Sequence, residues 1–409
     1  MRHLRFRVRV ALWLAPVAGF LMLAGCLSMH GGPTSPDSAT ATEEYVDPES
    51  LNRMVAQLAE GDQVNPGGPH YNVLVLSTGG PYGAFTAGTL VGWSETGTRP
   101  KFDCVTGVST GALVSVFAFL GPEWDDKLAK VLSDLNADKV YRMRRPLSML
   151  RRSSFASSEP LQRLIEDTVD VELMRAVAQA HAEGRRLYVG TTNLESRRLA
   201  VWDLGTIASR GDAEALKLLQ TILLASCSIP GFFEPVPIEV QNNGQSHTEL
   251  HVDGGASAAM FLRLPDGAQS LRGRRPLAGS NLYIIVAGKI YADPAPVRPG
   301  FITIAGSSIS SLLYAEARGD LYRLFTGSLV SGIKYHLVAV PQDFAIGPNS
   351  TLFGATEIKQ LYEEGVRIGR SPNPWRSLPP GAETSERTNP QSSVRQAVPA
   401  ITSVSANKP

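Results

Sequence analysis

Short apolar runs alternate with longer amphipathic stretches along the middle of the chain. Residues 72–77 and 102–106 are apolar and partly β-branched, as in strands that are buried on both faces of a sheet. A glycine-containing turn follows each run, and helix-like stretches come next at 84–93 and 112–120. Two consecutive strand–turn–helix units favour a parallel sheet with helical crossovers.

Similar patterns continue to residue 370. Further strands are predicted at 186–191, 199–202, 248–253, 282–286 and 335–340, and helices at 48–60, 161–182, 212–225, 302–325 and 356–368. We therefore predict an α/β fold of the three-layer sandwich type, with a mainly parallel central sheet, in one domain over residues 48–370. Residues 371–409 are rich in Pro, Ser and Thr, which predicts a disordered tail.

The N-terminus has the order of an export signal. Four arginines precede an apolar run at 10–23, which is too short and too interrupted for a comfortable membrane span. The run ends in Leu23-Ala24-Gly25-Cys26, which resembles a bacterial lipoprotein signal, in which residues 1–25 are removed and the cysteine is lipidated and becomes the new N-terminus. An ordinary cleaved signal and an anchor helix are the alternatives. Residues 26–47, rich in Gly, Pro, Ser and Thr, are predicted to be a flexible tether.

Composition and charge exclude some classes of partner. The 409-residue chain is 43% hydrophobic and 19% charged, as in ordinary globular proteins. Its net charge is +1, and loss of the four N-terminal arginines leaves about −3, so no basic field attracts nucleic acid. Cys104 and Cys227 could pair in an exported protein, but their apolar surroundings favour two small buried residues.

The strongest chemical signal is Gly107-Val108-Ser109-Thr110-Gly111, between a predicted strand and a predicted helix. A serine nucleophile needs its hydroxyl exposed at a sharp turn, and flanking glycines permit the strained backbone and close packing. The N-terminal amides of the following helix favour developing negative charge. The structural alternative is a tight turn whose serine caps the helix.

Two other glycine turns carry candidate polar groups. Thr78-Gly79-Gly80-Pro81-Tyr82-Gly83 follows the first strand, where backbone N–H groups could form an oxyanion hole. The turn fits neither the dinucleotide pattern nor a phosphate-binding Gly-Lys-Ser/Thr loop. His251-Val252-Asp253-Gly254-Gly255 ends a predicted strand with a carboxylate that could act as general base on a serine. A plain glycine turn and an aspartate that starts a turn are the alternatives.

Together and in this order, the three runs resemble the patatin-like phospholipase family, with its glycine-rich oxyanion loop, Gly-x-Ser-x-Gly nucleophile and Asp-Gly-Gly aspartate. Residues 190–194 and 225–233 resemble further blocks of that family. The resemblance implies a patatin-like fold, with Ser109 as nucleophile, Asp253 as its base in a Ser-Asp dyad, and Gly79 and Gly80 as oxyanion donors. It covers residues 71–255 and weakens afterwards.

The oxyanion loop departs from the usual Gly-Gly-Gly-x-Arg-Gly of that family. Thr78 replaces the first glycine, Tyr82 replaces the arginine, and Pro81 has no N–H to donate. These departures leave open which amides line the hole and whether an anionic headgroup meets a cation there.

A conventional triad is a further alternative, because α/β-hydrolases run in the order Ser, acid, His. Only His336 follows Asp253 in the chain, and His251 shares a strand face with that aspartate. A lone histidine in a strand is more often structural, which favours the dyad.

These resemblances imply a lipid-anchored serine acyl hydrolase, a phospholipase or esterase that cleaves carboxylic esters of acyl lipids without a metal or cofactor. The alternative is a catalytically silent lipoprotein of the same fold that acts in envelope binding or assembly. The expected partners are an acyl lipid substrate and the membrane, reached through lipidated Cys26, and no nucleic acid is expected. Leu27 after Cys26 favours the outer membrane of a bacterial envelope by the usual sorting pattern.

Overall fold

The computed structural model describes residues 70–133, 135–144, 154–242, 245–264, 277–294, 299–344 and 354–382. All of them belong to one unit of the chain, residues 41–409. The predicted signal peptide, Cys26, the tether and the helix predicted at 48–60 lie outside the described residues.

A central sheet of eight strands organises the described residues. Its strands are β1 (Asn72–Leu76), β2 (Cys104–Val108), β5 (Arg186–Asn193), β6 (Arg198–Asp203), β7 (Val236–Asn242), β8 (Gln245–Asp253), β9 (Asn281–Val286) and β10 (Lys334–Ala339), while β3 (Arg142–Met143) and β4 (Ala156–Ser157) pair separately. Five strands are parallel, in the order β10–β9–β1–β2–β5. Strand β5 also pairs antiparallel with β6 and with β8, which carries β7 at the edge.

Ten α-helices are described. They are α1 (Gly83–Glu95), α2 (Thr110–Leu120), α3 (Asp125–Ser133), α4 (Ala137–Val140), α5 (Glu159–Thr168), α6 (Val171–Ala182), α7 (Leu204–Ala208), α8 (Ala213–Ser226), α9 (Phe301–Ser331) and α10 (Ala355–Gly369). The single helix predicted at 161–182 is two helices, because the Asp170 carboxylate accepts the amide proton of Leu173 at 2.8 Å and starts α6. Within the described ranges, no helix combines the length and apolarity needed to cross a membrane.

Both faces of the parallel part of the sheet are buried, and each contributes to its own hydrophobic core. Leu74 and Leu76 of β1 face a core filled mainly by helices α1, α2, α5, α6 and α8. Val73 and Val75 face a second core, closed by residues 259–261 and by the second half of α9. Alternate residues of the buried strand β1 therefore pack into two cores on opposite faces of the sheet. The predicted three-layer α/β fold with a mainly parallel sheet is confirmed.

The two cysteines of the described residues lie in different cores. Cys227 belongs to the first core and Cys104 to the second, and both are free and buried. Burial raises the pKa of each thiol above its ordinary value. Because the sheet separates them, the structure agrees with small buried residues rather than with a disulfide.

The described start of the predicted tail packs against the domain. The ring of Trp375 lies 4.7 Å from that of Trp93 and 5.1 Å from that of Tyr283. Arg376 exchanges two backbone hydrogen bonds with Leu337 of β10, both of 2.8 Å. The domain therefore extends past the predicted boundary at residue 370. Trp375 packs against the domain although the residues around it in the sequence are mostly polar. Residues 383–409 lie outside the described residues.

Candidate active site

Ser109 joins β2 to α2 through a backbone that side-chain-bearing residues rarely adopt. Its φ is 58° and its ψ is −128°, and conformations of this kind cost about 1–3 kcal/mol. A Cβ at Gly107 would lie 2.5 Å from the carbonyl oxygen of Gly111, and a Cβ at Gly111 would lie 2.5 Å from that of Ser77. The turn therefore tolerates a side chain at position 109 but none at the two flanking glycines.

Ser226, the last residue of α8, holds this turn in place. Its buried Oγ accepts the amide proton of Ser109 at 2.9 Å and donates to the carbonyl oxygen of Gly190 on β5 at 2.7 Å. One hydroxyl thus satisfies two buried backbone groups, each of which would be costly to leave unpaired. The amide of Ser109 is consequently occupied and cannot donate to a ligand.

Asp253 lies beside Ser109 because two strands of the sheet, β2 and β8, end at the same place. Parallel strand β2 pairs with the first part of β5 and ends with Val108 opposite Gly190. Antiparallel strand β8 pairs with the last part of β5 and ends with Asp253 opposite Thr191. Because the two strands run towards each other along β5, their carboxyl ends meet. Ser109 Oγ donates a hydrogen bond of 2.6 Å to Asp253 Oδ2.

Both carboxylate oxygens of Asp253 are hydrogen-bonded and buried. Oδ1 accepts the amide proton of Gly255 at 2.7 Å, which fixes the carboxylate plane while Oδ2 faces Ser109. Burial raises the pKa of Asp253 to about 6, although the hydrogen bonds from Ser109 and Gly255 act in the opposite direction. The group is therefore ionised at neutral pH and is more basic than an ordinary aspartate.

The glycine turn after β1 lies directly beside this pair. A Cβ at Gly83 would lie 2.9 Å from Cβ of Thr110, the first residue of α2, and a Cβ at Gly255 would lie 3.0 Å from Oγ1 of Thr78. A Cβ at Gly79 would lie only 2.0 Å from the carbonyl oxygen of Ala287, which follows β9. The turn is thus wedged between α2, the Asp-Gly-Gly segment and the end of β9.

Several backbone amides at this point have no hydrogen-bond acceptor among the described residues. They include those of Gly79 and Gly80 in the turn and of Thr110 and Gly111 at the start of α2. The first amides of a helix lack intrahelical acceptors and carry a partial positive charge. Pro81 contributes no N–H, and the amide of Tyr82 donates to the Gly79 carbonyl at 3.1 Å. The free amides form a set that suits an oxyanion.

Tyr82, which stands where the resembled family has arginine, gives the turn a neutral phenol. Burial, together with Tyr314 and Asp293, raises its pKa to about 12. The nearby Lys289 ammonium is buried and pairs with both Asp293 oxygens, at 2.7 and 2.9 Å. The charge at this rim is therefore balanced within the protein.

A carboxylate on α9 supports the loop that follows the Asp-Gly-Gly segment and, through this loop, the glycine turn. Asp320, which is buried, accepts the amide protons of Ala259 at 2.8 Å and Met260 at 3.2 Å. The Ala259 carbonyl in turn accepts the amide proton of Thr78 at 2.8 Å. Two hydrogen bonds in series thus connect α9 to the start of the turn that holds Gly79.

Neither candidate histidine contacts the serine or Asp253. His251 is fully buried, with Nδ1 2.9 Å from Thr191 Oγ1 and Nε2 3.1 Å from Glu249 Oε2. His336 lies in β10, with Nε2 3.1 Å from Asn281 Oδ1. Burial lowers the pKa of both rings. The structure gives both histidines structural partners and leaves Ser109 with Asp253.

Sequence reasoning brought Ser109, Asp253, Gly79, Gly80, Gly107 and Gly111 together, and the structure places all six at one site. It gave no role to Ser226 or Asp320. Ser226 lay within the family-like block 225–233, whereas nothing in the sequence pattern of α9 singles out Asp320. In the described part of the chain, no group of three or more His, Cys, Asp or Glu side chains could hold a metal ion.

Fold and site define a three-layer α/β protein with a serine at a strained strand–helix turn and an aspartate at hydrogen-bond distance. Residues 74–265, just under half of the chain, match the family model described as patatin-like phospholipase. This part of the chain is therefore similar to patatin-like phospholipases. The matched residues contain the serine turn, Asp253 and most of the glycine turn's partners.

Solved structures resemble the chain more distantly. VipD from Legionella pneumophila is 13% identical with a TM-score of 0.37, and the match covers 75% of this chain and 69% of that one. A chain of the complex of full-length SpcU with full-length ExoU, from the type III secretion system of Pseudomonas aeruginosa, is 15% identical with a TM-score of 0.26, covering 83% and 60%. No curated protein matches the sequence. Since neither TM-score reaches 0.5, the fold assignment rests on topology and on the family match.

Proposed function

We propose that the protein is a serine acyl hydrolase that cleaves carboxylic esters of acyl lipids by a Ser-Asp dyad. The observation that carries the proposal is the 2.6 Å hydrogen bond from Ser109 Oγ to Asp253 Oδ2 at a strained strand–helix turn. An aspartate whose pKa is raised to about 6 stays ionised at neutral pH and is better matched to proton abstraction than an ordinary one.

In the first step, Asp253 takes the hydroxyl proton while Ser109 Oγ attacks the ester carbonyl carbon. The carbonyl oxygen becomes an oxyanion, which the amides of Gly79, Gly80 and Thr110 can stabilise. Collapse of this intermediate breaks the bond to the alcohol oxygen, and the alcohol leaves with the proton from Asp253. The product is an acyl ester on Ser109.

In the second step, water replaces the alcohol. Asp253 takes a proton from the water molecule, whose oxygen attacks the acyl carbon, and the same amides hold the second oxyanion. The bond to Ser109 Oγ then breaks, the serine recovers its proton, and the fatty acid is released. The fixed carboxylate plane lets one group serve both proton transfers.

An acyl lipid substrate is supported by the match of residues 74–265 to a phospholipase family. We further propose that lipidation of Cys26 anchors the mature chain in a bacterial envelope, at the outer membrane. The support is the sequence order of arginines, apolar run and Leu-Ala-Gly-Cys. A multiply acylated cysteine would bind the protein stably, since one acyl chain alone gives only marginal membrane affinity. Replacing Cys26 with Ser should therefore prevent processing of the chain into a membrane-bound mature form.

The test of the catalytic proposal is labelling and turnover by the purified full chain. A fluorophosphonate probe should label the parent protein at Ser109, and p-nitrophenyl esters should be cleaved. Ser109→Ala should lose both properties, with a rate reduced by at least about 10³-fold. Ser115→Ala is the matched control, because Ser115 is a buried serine of α2 whose Oγ bonds only to the Ala112 carbonyl.

Equal turnover in Ser109→Ala and parent protein would remove the enzyme assignment. A parent protein that neither reacts with the probe nor cleaves any ester would favour the silent lipoprotein that keeps the fold for envelope binding or assembly. Thermal melts of both variants should show that they remain folded.

A further inference from the structure

Helix α9 is too long for the sheet that it covers. It connects parallel neighbours β9 and β10, so it begins at the carboxyl edge of these strands, where the candidate site lies. Thirty-one helical residues span about 46 Å, whereas the six residues of β10 span about 20 Å. Among the side chains of α9 whose burial is described, the fully buried ones begin at Asp320. The first half of α9 therefore projects beyond the catalytic edge of the sheet.

This projecting half, residues 301–315, contains no charged residue. Its large apolar side chains are strongly exposed, including Phe301 at 60%, Ile309 at 57% and Leu312 at 69%. The charged residues of the helix, Glu316, Arg318, Asp320 and Arg323, all come after it. A projecting helix end of this composition leaves its apolar face without cover from the described residues.

The base of the projecting half is connected to the site. Arg318 lies 5.3 Å from the ring centroid of Tyr291 and donates to the Ile290 carbonyl at 3.4 Å. These two residues follow Ala287, which packs against Gly79. The projecting half therefore starts beside the rim of the glycine turn.

A second group of exposed apolar side chains lies close to Asp253, the other residue of the candidate dyad. Ile229 is 43% exposed and follows Ser228, whose carbonyl accepts the amide proton of Asp253 at 2.8 Å. Phe155, 55% exposed, is joined to the same loop by its amide, which donates to the Gly231 carbonyl at 3.1 Å. Exposed apolar groups thus adjoin the site from two unrelated parts of the fold.

We propose that the projecting half of α9 is a membrane-docking surface, which inserts Phe301, Ile309 and Leu312 into the acyl boundary of a lipid bilayer. An uncharged helix end complements hydrocarbon, and its 15 residues are too few to span a bilayer but enough to lie within its interface. The inference deepens the proposed function, because it names the surface through which a bilayer lipid reaches Ser109.

The test uses the full chain and one matched control on the same helix. Leu329 is 58% exposed but lies near the opposite end of α9. Leu312→Trp and Leu329→Trp should be compared on phosphatidylcholine vesicles with and without brominated acyl chains. Bromine should quench the added fluorescence at position 312 and leave that at position 329 unchanged, whether or not the protein hydrolyses lipid.

A kinetic measurement links this surface to turnover. Leu312→Glu should lower the hydrolysis rate of a long-chain p-nitrophenyl ester embedded in vesicles by at least tenfold, leave that of dissolved p-nitrophenyl butyrate unchanged, and differ in this from Leu329→Glu. No ester cleavage by the parent protein would reject the proposed function, while the quenching result would still decide the docking surface. Equal quenching at both positions would overturn the inference, as would a dimer that Leu312→Glu splits without any change in the vesicle rate.

Discussion

The two glycine turns of the site are built for opposite purposes. In the turn at 107–111 the backbone already has its partners. The amide of Ser109 donates to Ser226 Oγ, and both glycines pack against other backbone atoms. In the turn at 78–83 the amides of Gly79 and Gly80 have no acceptor among the described residues, although Gly79 packs just as tightly. The first turn fixes a side chain, and the second keeps donors free in a fixed place.

This difference explains how a small site can separate nucleophile from oxyanion donors. Since Ser226 occupies the amide of Ser109, the proposed mechanism requires neighbouring amides to hold the oxyanion. The candidates, Thr110 and the 78–83 turn, belong to two different elements, and both are positioned before any ligand arrives. Donors fixed in advance need no reorganisation during the reaction.

The largest effect is expected from Asp253→Asn, which removes the base from the serine turn. The amide still occupies the space of the carboxylate but cannot accept the serine proton, so kcat/KM should fall by at least about 10³-fold. The measurement is ester hydrolysis at pH 8. Asp170→Asn, which alters an aspartate that caps α6 away from the site, should keep the parent rate. A folded Asp253→Asn protein with an ordinary rate would contradict the dyad.

A smaller but still large effect is expected from Gly79→Ala in the turn at 78–83. The new Cβ would meet the Ala287 carbonyl, so the turn must shift and misplace its donors. Loss of one oxyanion donor lowers kcat by about 10²–10³-fold. Gly80→Ala is the comparison, because a Cβ there meets nothing within 4 Å and faces only the strain of a φ of 54°. If both variants retain full kcat, this turn does not hold the oxyanion.

The pH profile should distinguish the aspartate from a histidine. Because the pKa of Asp253 is raised to about 6, the ionised base is lost as pH falls through that value. Below pH 6, kcat/KM should fall about tenfold per unit. The same limb should persist in His251→Ala and His336→Ala, whose rings do not contact the dyad. A limb that disappears in either variant would indicate a conventional triad.

The smallest effect is expected from Ser226→Ala, which removes hydrogen bonds that hold the turn at 107–111 but leaves Ser109 and Asp253 themselves unchanged. The amide of Ser109 and the carbonyl of Gly190 would both lose a partner, at a cost of about 1–3 kcal/mol in stability. The turnover number kcat should fall about tenfold through poorer positioning, with KM little changed. Ser115→Ala again serves as control. An unchanged kcat would show that backbone packing alone fixes the turn.

The sheet and most of its helices could be predicted from sequence, because buried parallel strands are continuous apolar runs between glycine turns. The site residues within those turns were predicted for the same reason: Ser109, Gly107 and Gly111 adjoin the strand and helix that position them. Asp253 was found through its own glycine pair. Its approach to the serine depends on the pairing of β2 and β8 along β5, which no local pattern encodes.

Residues that act through long-range hydrogen bonds were beyond local reasoning. Ser226 is 117 residues from Ser109 in sequence, and Asp320 is 61 residues from Ala259. A serine at a helix end and an aspartate inside a helix have many ordinary roles, so their residue types predict nothing specific. Trp375 was missed because the composition of its neighbours predicts a tail.

The strained backbone of Ser109 and the buried carboxylate of Asp253 lower the thermostability of the protein, although the proposed activity requires both residues. Ser109 holds a backbone that glycine adopts more readily, and Asp253 has an ordinary pKa of 3.8 but one of about 6 in the fold. The folded protein thus binds the proton more tightly, so stability falls as pH rises from 3.8 to 6, by about 3 kcal/mol in total. Ser109→Gly and Asp253→Asn should each melt a few degrees above the parent at pH 8, which calorimetry can measure. Selection of this chain for heat resistance alone would therefore enrich inactive variants.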